Sequence, residues 1–205
     1  MNVNADLSDI ESSESDLSGG DQAAESCFDN FDAVDVKTDW AEGRQRQISA
    51  RIQIPCTINQ VWQVLTDYDH LADFIPNLAK SRQIPHPHGG IRLEQIGAQS
   101  FLKIKFCARV VLDMIEHFPN QLDFEMVEGD FKEFSGYWQL TPTAAADGQA
   151  VTELCYVVRV LPPRTMPIAL IERRLCHNLS ANLAAIRQQV EALFGNGAHV
   201  SAEPQ

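Results

Sequence analysis

Apolar and polar residues alternate without a break from Arg46 to Ile54. Ile48, Ala50, Ile52 and Ile54 share one face, and Gln47, Ser49, Arg51 and Gln53 the other. Successive side chains of a strand point to opposite faces, so the pattern predicts a half-buried strand. Pro55 ends it. Thr57-Ile58-Asn59-Gln60 then has the Thr-x-x-Gln form of a capping box, and Ile58, Val61, Trp62 and Leu65 follow at helical spacing. A second short helical stretch around His70 to Phe74 is closed by Pro76.

Strand patterns dominate the middle of the chain. Leu78 to Ile84 and Ile91 to Ile96 flank the turn His86-Pro87-His88-Gly89-Gly90 and predict a hairpin. The longest alternation follows: Leu102, Ile104, Phe106, Ala108, Val110, Leu112 and Met114 against Phe101, Lys103, Lys105, Cys107, Arg109, Val111 and Asp113. It predicts one strand long enough to bend around something. Leu122, Phe124 and Met126 alternate with Gln121, Asp123 and Glu125, and Phe134, Gly136, Trp138 and Leu140 with Ser135, Tyr137 and Gln139. Gly136 inside its strand predicts a bend or a close approach. The last strand turns Thr152, Leu154, Tyr156, Val158 and Val160 inward, and short turns between strands predict an antiparallel meander.

Pro162-Pro163 stops the sheet, and a helix from about Met166 to Phe194 repeats Ile168, Ile171, Leu175, Leu179, Leu183, Ile186, Val190 and Leu193 every three or four residues. Gly195 and Gly197 are expected to end it. The order of one strand, two short helices, about six strands and a long helix predicts an α+β fold. A curved antiparallel sheet would close around the C-terminal helix.

Charge divides the chain differently. Ten of the 28 acidic residues precede the first basic one, Lys37, so 18 acids face 16 bases in the remainder, a net −2. Residues 1–36 read as an acidic disordered tail, 37–195 as the folded domain and 196–205 as a flexible C-terminus. A nearly neutral domain lacks the concentrated Lys/Arg surface that phosphate backbones require, which speaks against nucleic acid as a partner. With no basic-then-apolar leader and no run of ~18 apolar residues, the reading is a cytoplasmic protein, at most peripheral to a membrane, and a monomer or weak dimer. The five cysteines have no CxxC spacing and are expected to be reduced; Cys107, Cys155 and Cys176 read as small buried hydrophobes.

The segments RQISARIQIPCTINQVWQVLTDYDHLADFIPNLAKSRQI, FLKIKFCARVVLDMIE and FKEFSGYWQLTP, with the terminal helix, resemble the START-like superfamily in its polyketide cyclase/dehydrase and coenzyme Q-binding branch. The resemblance covers roughly Asp39 to Phe194. Within it, VWQVLTDYDHLADFIPNL looks like the family's first helix and following loop, with Tyr68, Phe74 and Pro76 at familiar places. It implies the helix-grip fold, with a cavity between sheet and helix that in family members takes lipids, quinones, sterols or aromatic polyketides. It implies no shared catalytic set.

The candidate ligand-binding wall is therefore Phe106, Met114, Phe124, Met126, Phe134, Trp138, Tyr156, Leu175 and Leu179. Thr152, the Tyr156 hydroxyl and the Trp138 indole N–H would punctuate it. The plain alternative is that these side chains pack together and the backbone satisfies the hydroxyls. No residue is assigned as catalytic, and no cofactor or metal is expected, because His86 and His88 have no Asp, Glu or Cys at ligand spacing. Lys103, Lys105 and Arg109 share an outer face, where acids such as Asp123 and Glu125 are expected to pair with them. Arg164, Arg173 and Arg174 form a looser basic set where a cavity mouth would open. The leading reading is a binder or carrier of a hydrophobic small molecule, a prenylated quinone or another lipid. The alternatives are a cyclase/dehydrase acting on an aromatic or polyketide-like substrate, and a ribosome- or protein-interaction module.

Overall fold

The computed structural model describes residues 34–40, 43–101, 104–145 and 148–195, with the backbone alone at 40, 99–101 and 104–106. Most of the tail, with Cys27, lies outside the described residues, as do 196–205. The first predicted strand is present as β2 (Arg46–Ile54), its inward residues Ile48, Ala50, Ile52 and Ile54 almost fully buried. Pairing with it is β1 (Asp35–Trp40), a strand the hydrophobic pattern did not announce. Its half-buried residues, Val36 and Thr38, are too few and too mildly apolar to stand out in the sequence.

Next come α1 (Ile58–Leu65) and α2 (Leu71–Phe74). The capping box closes as its spacing requires: the Thr57 backbone N–H donates to Gln60 Oε1 at 2.8 Å. Val61, Trp62, Val64 and Leu65 form the buried side of α1. Six strands follow: β3 (Leu78–Ile84), β4 (Ile91–Phe101), β5 (Ile104–His117), β6 (Gln121–Gly129), β7 (Glu133–Ala144) and β8 (Ala150–Leu161). The chain ends in α3 (Ile168–Phe194). All eight strands form one antiparallel sheet in the order β1-β2-β8-β7-β6-β5-β4-β3. The α1–α2 segment carries the chain from β2, beside β8, to the far edge at β3.

The long alternation from Phe101 to Met114 is two strands, not one. Phe101 ends β4 and pairs with Ile104 at the start of β5. Apolar and polar residues keep alternating from Leu102 to Phe106, so periodicity alone cannot reveal the break between the strands. Cys155 and Cys176 are buried as expected, whereas Cys107 is exposed because it lies on the outer face near the start of β5. Leu193, placed on the helix stripe by its spacing, is 58 % exposed, and the buried face of α3 ends at Val190. Gly195 carries the last helical hydrogen bond, to Glu191, in right-handed rather than left-handed geometry.

α3 packs chiefly on β2, with lesser contact to α1 and β1. Ile48, Ile54, Leu154, Leu183, Ile186 and Val190 are essentially fully buried. Burying side chains of this size contributes about 1.5–3 kcal/mol each. Because the helix grips one side of the sheet, the inner faces of β4 to β7 are left to curve around a space of their own.

On the outer face, the register decides the ion pairs. Arg109 does not meet Asp123 or Glu125, which lie opposite Ile115 and Asp113 further along β5. It binds Glu94 at 2.9 Å and Glu128 at 2.6 Å, while Lys80 and Arg82 each reach Glu94 at 2.8 Å. The side chains of Lys103 and Lys105 lie outside the described residues. Hydrogen bonds from Lys80, then Arg109 and Arg82, hold the Glu94 carboxyl down at about 2. A carboxyl lowered on folding lends stability that is complete above its unfolded value, near 4.5, and lost as pH falls through about 2. Thermal midpoints measured across this window should fall less steeply for Glu94→Gln than for the unaltered protein. Parallel curves would show that the network contributes nothing.

Candidate functional site

Between the inner face of the sheet and α3 lies a cavity of about 210 Å³. Its wall is built mainly from alternate residues of five strands, because only every second side chain of a strand can face it, with Leu78 of β3 as a sixth contribution. β4 supplies Leu93, Gln95 and Gly97; β5 supplies Ala108, Val110, Leu112 and Met114; β6 supplies Leu122 and Phe124. Phe134 and Trp138 come from β7 and Tyr156 and Val158 from β8. α3 closes one side with Ile171, Arg174, Leu175, Asn178, Leu179, Asn182 and Ile186. Pro76 and Ala98 are the exposed members of the lining and mark the mouth. There Asn77, in left-handed geometry at φ 63°, accepts a hydrogen bond from the Ala98 N–H at 2.9 Å. Asparagine is among the few residues that tolerate this conformation, so the loop is held across the end of β4.

An aromatic row forms the floor. The Trp138 and Tyr156 rings stack with centroids 3.5 Å apart and planes 8° from parallel, a contact set by their direct pairing across β7 and β8. Phe124 stands 6.0 Å from Tyr156 and 5.5 Å from Phe134, which in turn stacks on Phe131 at 5.5 Å. Phe124 lies opposite Gly136. A Cβ on that glycine would run into the Val157 carbonyl oxygen and come within 2.7 Å of the Phe124 ring. The close approach expected at Gly136 is real, and it makes room for the ring.

Two polar groups in this floor have no acceptor among the described residues. Neither the Tyr156 hydroxyl nor the Trp138 indole N–H has a hydrogen-bond partner among the described residues. Burial pushes the Tyr156 phenol well above its ordinary value, so it remains a neutral O–H donor. Asn182 Oδ1 is buried and likewise lacks a partner among the described residues. Groups of this kind are normally satisfied, so the cavity presents unmet hydrogen-bonding capacity inside an apolar shell. Tyr68, also in the lining, is different: its hydroxyl donates to Glu116 at 2.8 Å, tying the segment between α1 and α2 to β5.

Of the residues expected to face a ligand, the structure brings together Met114, Phe124, Phe134, Trp138, Tyr156, Leu175 and Leu179 at the cavity wall. Met126 points inward yet stops short of it, half-buried with its sulfur against the Gly129 position. Thr152 is fully buried away from the cavity, and its hydroxyl donates to the Cys56 carbonyl at 2.8 Å. The side chain of Phe106 lies outside the described residues. Arg164 and Arg173 are exposed, and Arg174 alone of that set enters the wall.

The sequence reading missed Asn178 and Asn182 and left Arg174 at the mouth. Their four-residue spacing beside the apolar stripe was the available signal. Among the described residues the wall holds no Asp, Glu, Lys or His. His86 is engaged elsewhere, 3.2 Å from Asp113, which Arg92 also binds. Among the described residues no group of three or more His, Cys, Asp or Glu side chains could hold a metal ion, and no helix is long and apolar enough to cross a membrane.

The family described as polyketide cyclase / dehydrase and lipid transport matches residues 54–184. No curated protein sequence is significantly similar to the chain. Solved structures are similar in fold at low identity. A STAR-related lipid transfer protein of Xanthomonas axonopodis superposes with a TM-score of 0.63 at 15% identity, covering 80% of this chain and 97% of that one. For the Zhui aromatase/cyclase of a Streptomyces species the figures are 0.60, 16%, 76% and 99%. For a START superfamily protein of Mycobacterium smegmatis they are 0.60, 14%, 72% and 98%.

Proposed function

Since this chain belongs to the polyketide cyclase / dehydrase and lipid transport family, we propose that it binds and carries a hydrophobic small molecule in the cavity between sheet and α3. A prenylated quinone, as in the coenzyme Q-binding branch, is the first candidate, and other lipids follow. The observation that carries this reading is the cavity floor: a flat aromatic surface with two unpartnered donors, Trp138 N–H and Tyr156 O–H, suits a ligand carbonyl set in an apolar frame. A carrier of this kind works from the aqueous phase and meets a membrane only at its surface.

A second reading, a cyclase or dehydrase acting on an aromatic or polyketide-like substrate, draws on the same flat floor and on the similarity to an aromatase/cyclase. Such chemistry moves protons, and a general acid or base should titrate near the working pH. Among the described residues the cavity wall offers, as titratable groups, an arginine and tyrosines whose pKa values lie above their ordinary range. Carriage is therefore favoured. An interaction module with a basic face is disfavoured, because on the outer face Lys80, Arg82 and Arg109 are paired with Glu94.

Native mass spectrometry with lipid extraction would identify what the protein holds. Titration with a short-chain ubiquinone analogue, followed by tryptophan fluorescence, would test the floor. Tyr156→Phe keeps the stack but removes one donor, and affinity should fall about three- to tenfold, as for one hydrogen bond. Unchanged affinity would remove the carbonyl site, and failure to bind any member of a broad quinone and lipid panel would remove the carrier reading.

A further inference from the structure

We infer that Asn182 is a ligand-binding residue of this cavity and that the ligand brings it a hydroxyl group, as a phenolic carbonyl compound would; the inference rests on the reading that the cavity takes an apolar molecule. Asn182 stands on α3 between Leu179 and Ile186, both almost fully buried and both part of the lining. Its amide is thus set into the apolar side of the helix. Asn182 Oδ1 is shut off from water and receives no hydrogen bond among the described residues. A buried acceptor in this state is destabilising, because it has lost its bonds to water and gained none in return. Leucine, of nearly the same size, would fill the position without that cost. A polar side chain that works against stability in a cavity wall is expected where binding makes use of it.

The sheet side of the cavity has the opposite character. The Trp138 indole can only donate, and the Tyr156 hydroxyl, kept neutral by burial, is a donor with no acceptor among the described residues. A molecule held between sheet and helix therefore meets donors on one side and an acceptor on the other. A quinone or a simple ketone answers only the donors, since its oxygens have no hydrogen to give. A molecule with one carbonyl and one hydroxyl answers both, while its rings lie in the apolar frame of Leu112, Leu122 and Phe124. A quinol also has a hydroxyl to give, so a carrier of quinones built in this way holds the reduced form more tightly than the oxidised one.

Isothermal titration calorimetry of the full chain with benzophenone and its para-hydroxy and para-methoxy derivatives tests this, at about pH 6, where a phenol is neutral. The three share the carbonyl and the rings, and only the hydroxy compound can donate. It should bind about fivefold more tightly than the methoxy compound, as for one buried hydrogen bond. Asn182→Leu should bring the two within about twofold of each other. The same change should leave the thermal midpoint where it is or raise it by up to about 4 °C, because no hydrogen bond is lost with the Oδ1 acceptor. An asparagine that held the fold together would lower the midpoint when replaced. Equal binding of the hydroxy and methoxy compounds by the unaltered protein overturns the inference without recourse to any variant. A preference that survives in folded Asn182→Leu, or a lower midpoint, overturns it as well, and each of these results leaves an apolar carrier intact. If none of the three compounds binds, this inference falls, and the carrier reading stands or falls on the broad quinone and lipid panel.

Discussion

Replacing Gly136 with alanine should cost the protein about 3 kcal/mol or more, an unusually large loss for the addition of one methyl group. The new Cβ would collide with the Val157 carbonyl oxygen, which is fixed in the ladder between β7 and β8 and cannot swing aside as a flexible side chain would. It would also press on the Phe124 ring at 2.7 Å, in the centre of the aromatic floor. Relief would require either parting two strands or turning a cavity residue off its rotamer. Gly97→Ala is the control: it adds the same methyl to another strand glycine at the cavity, where the nearest atom is 3.7 Å away. That change should stay within about 1 kcal/mol. Urea denaturation of both variants measures the difference, and a Gly136→Ala protein as stable as the control would contradict the packing described.

Met114→Lys should abolish uptake of an apolar ligand, weakening it at least ~100-fold, or about 2.7 kcal/mol. Met114 is half-buried and lines the cavity, so a lysine there must either keep its ammonium in the space the ligand needs or lose its hydration. Two comparisons isolate the cause. Glu125→Lys adds the same cation to an exposed outward position and should bind as the unaltered protein does. Met126→Lys places it inward but off the cavity wall, so its cost should appear mainly as lost stability rather than lost affinity. Binding curves are meaningful only for variants whose circular dichroism is native. A folded Met114→Lys that still binds quinone or lipid normally would show that the ligand does not occupy this space.

The contrast between the two methionines marks how far the site was legible. Alternation placed both Met114 and Met126 on the inner face, and both do face inward. Alternation reports the direction of a side chain, not what it meets after several ångströms. Met126 meets neighbouring protein, and Met114 borders the cavity. Thr152 is a similar case: its inward direction was legible, but its hydroxyl goes to the Cys56 carbonyl, a partner 96 residues away. Arg109 was correctly placed on the outer face, yet its acids are Glu94 and Glu128, because strand register selects among the many carboxylates in reach.

By itself the sequence determined what depends on local chain geometry. A period of two oriented Ile48 through Ile54 and Phe124, the Thr57–Gln60 cap started α1, the three- and four-residue spacing made one face of α3 apolar, and the order of these elements implied a curved antiparallel sheet on a long helix. Only the tertiary structure decided where the sheet leaves the helix. α3 grips β2 closely, and the strands beyond curve away, so residues of the same inward pattern become solid core near Ile48 and cavity wall near Trp138. That outcome depends on sheet curvature and on contacts between residues far apart in the chain, which no local period encodes. For the same reason Arg174, Asn178 and Asn182, ordinary polar positions on an isolated helix, become part of a cavity wall once the sheet bends over them.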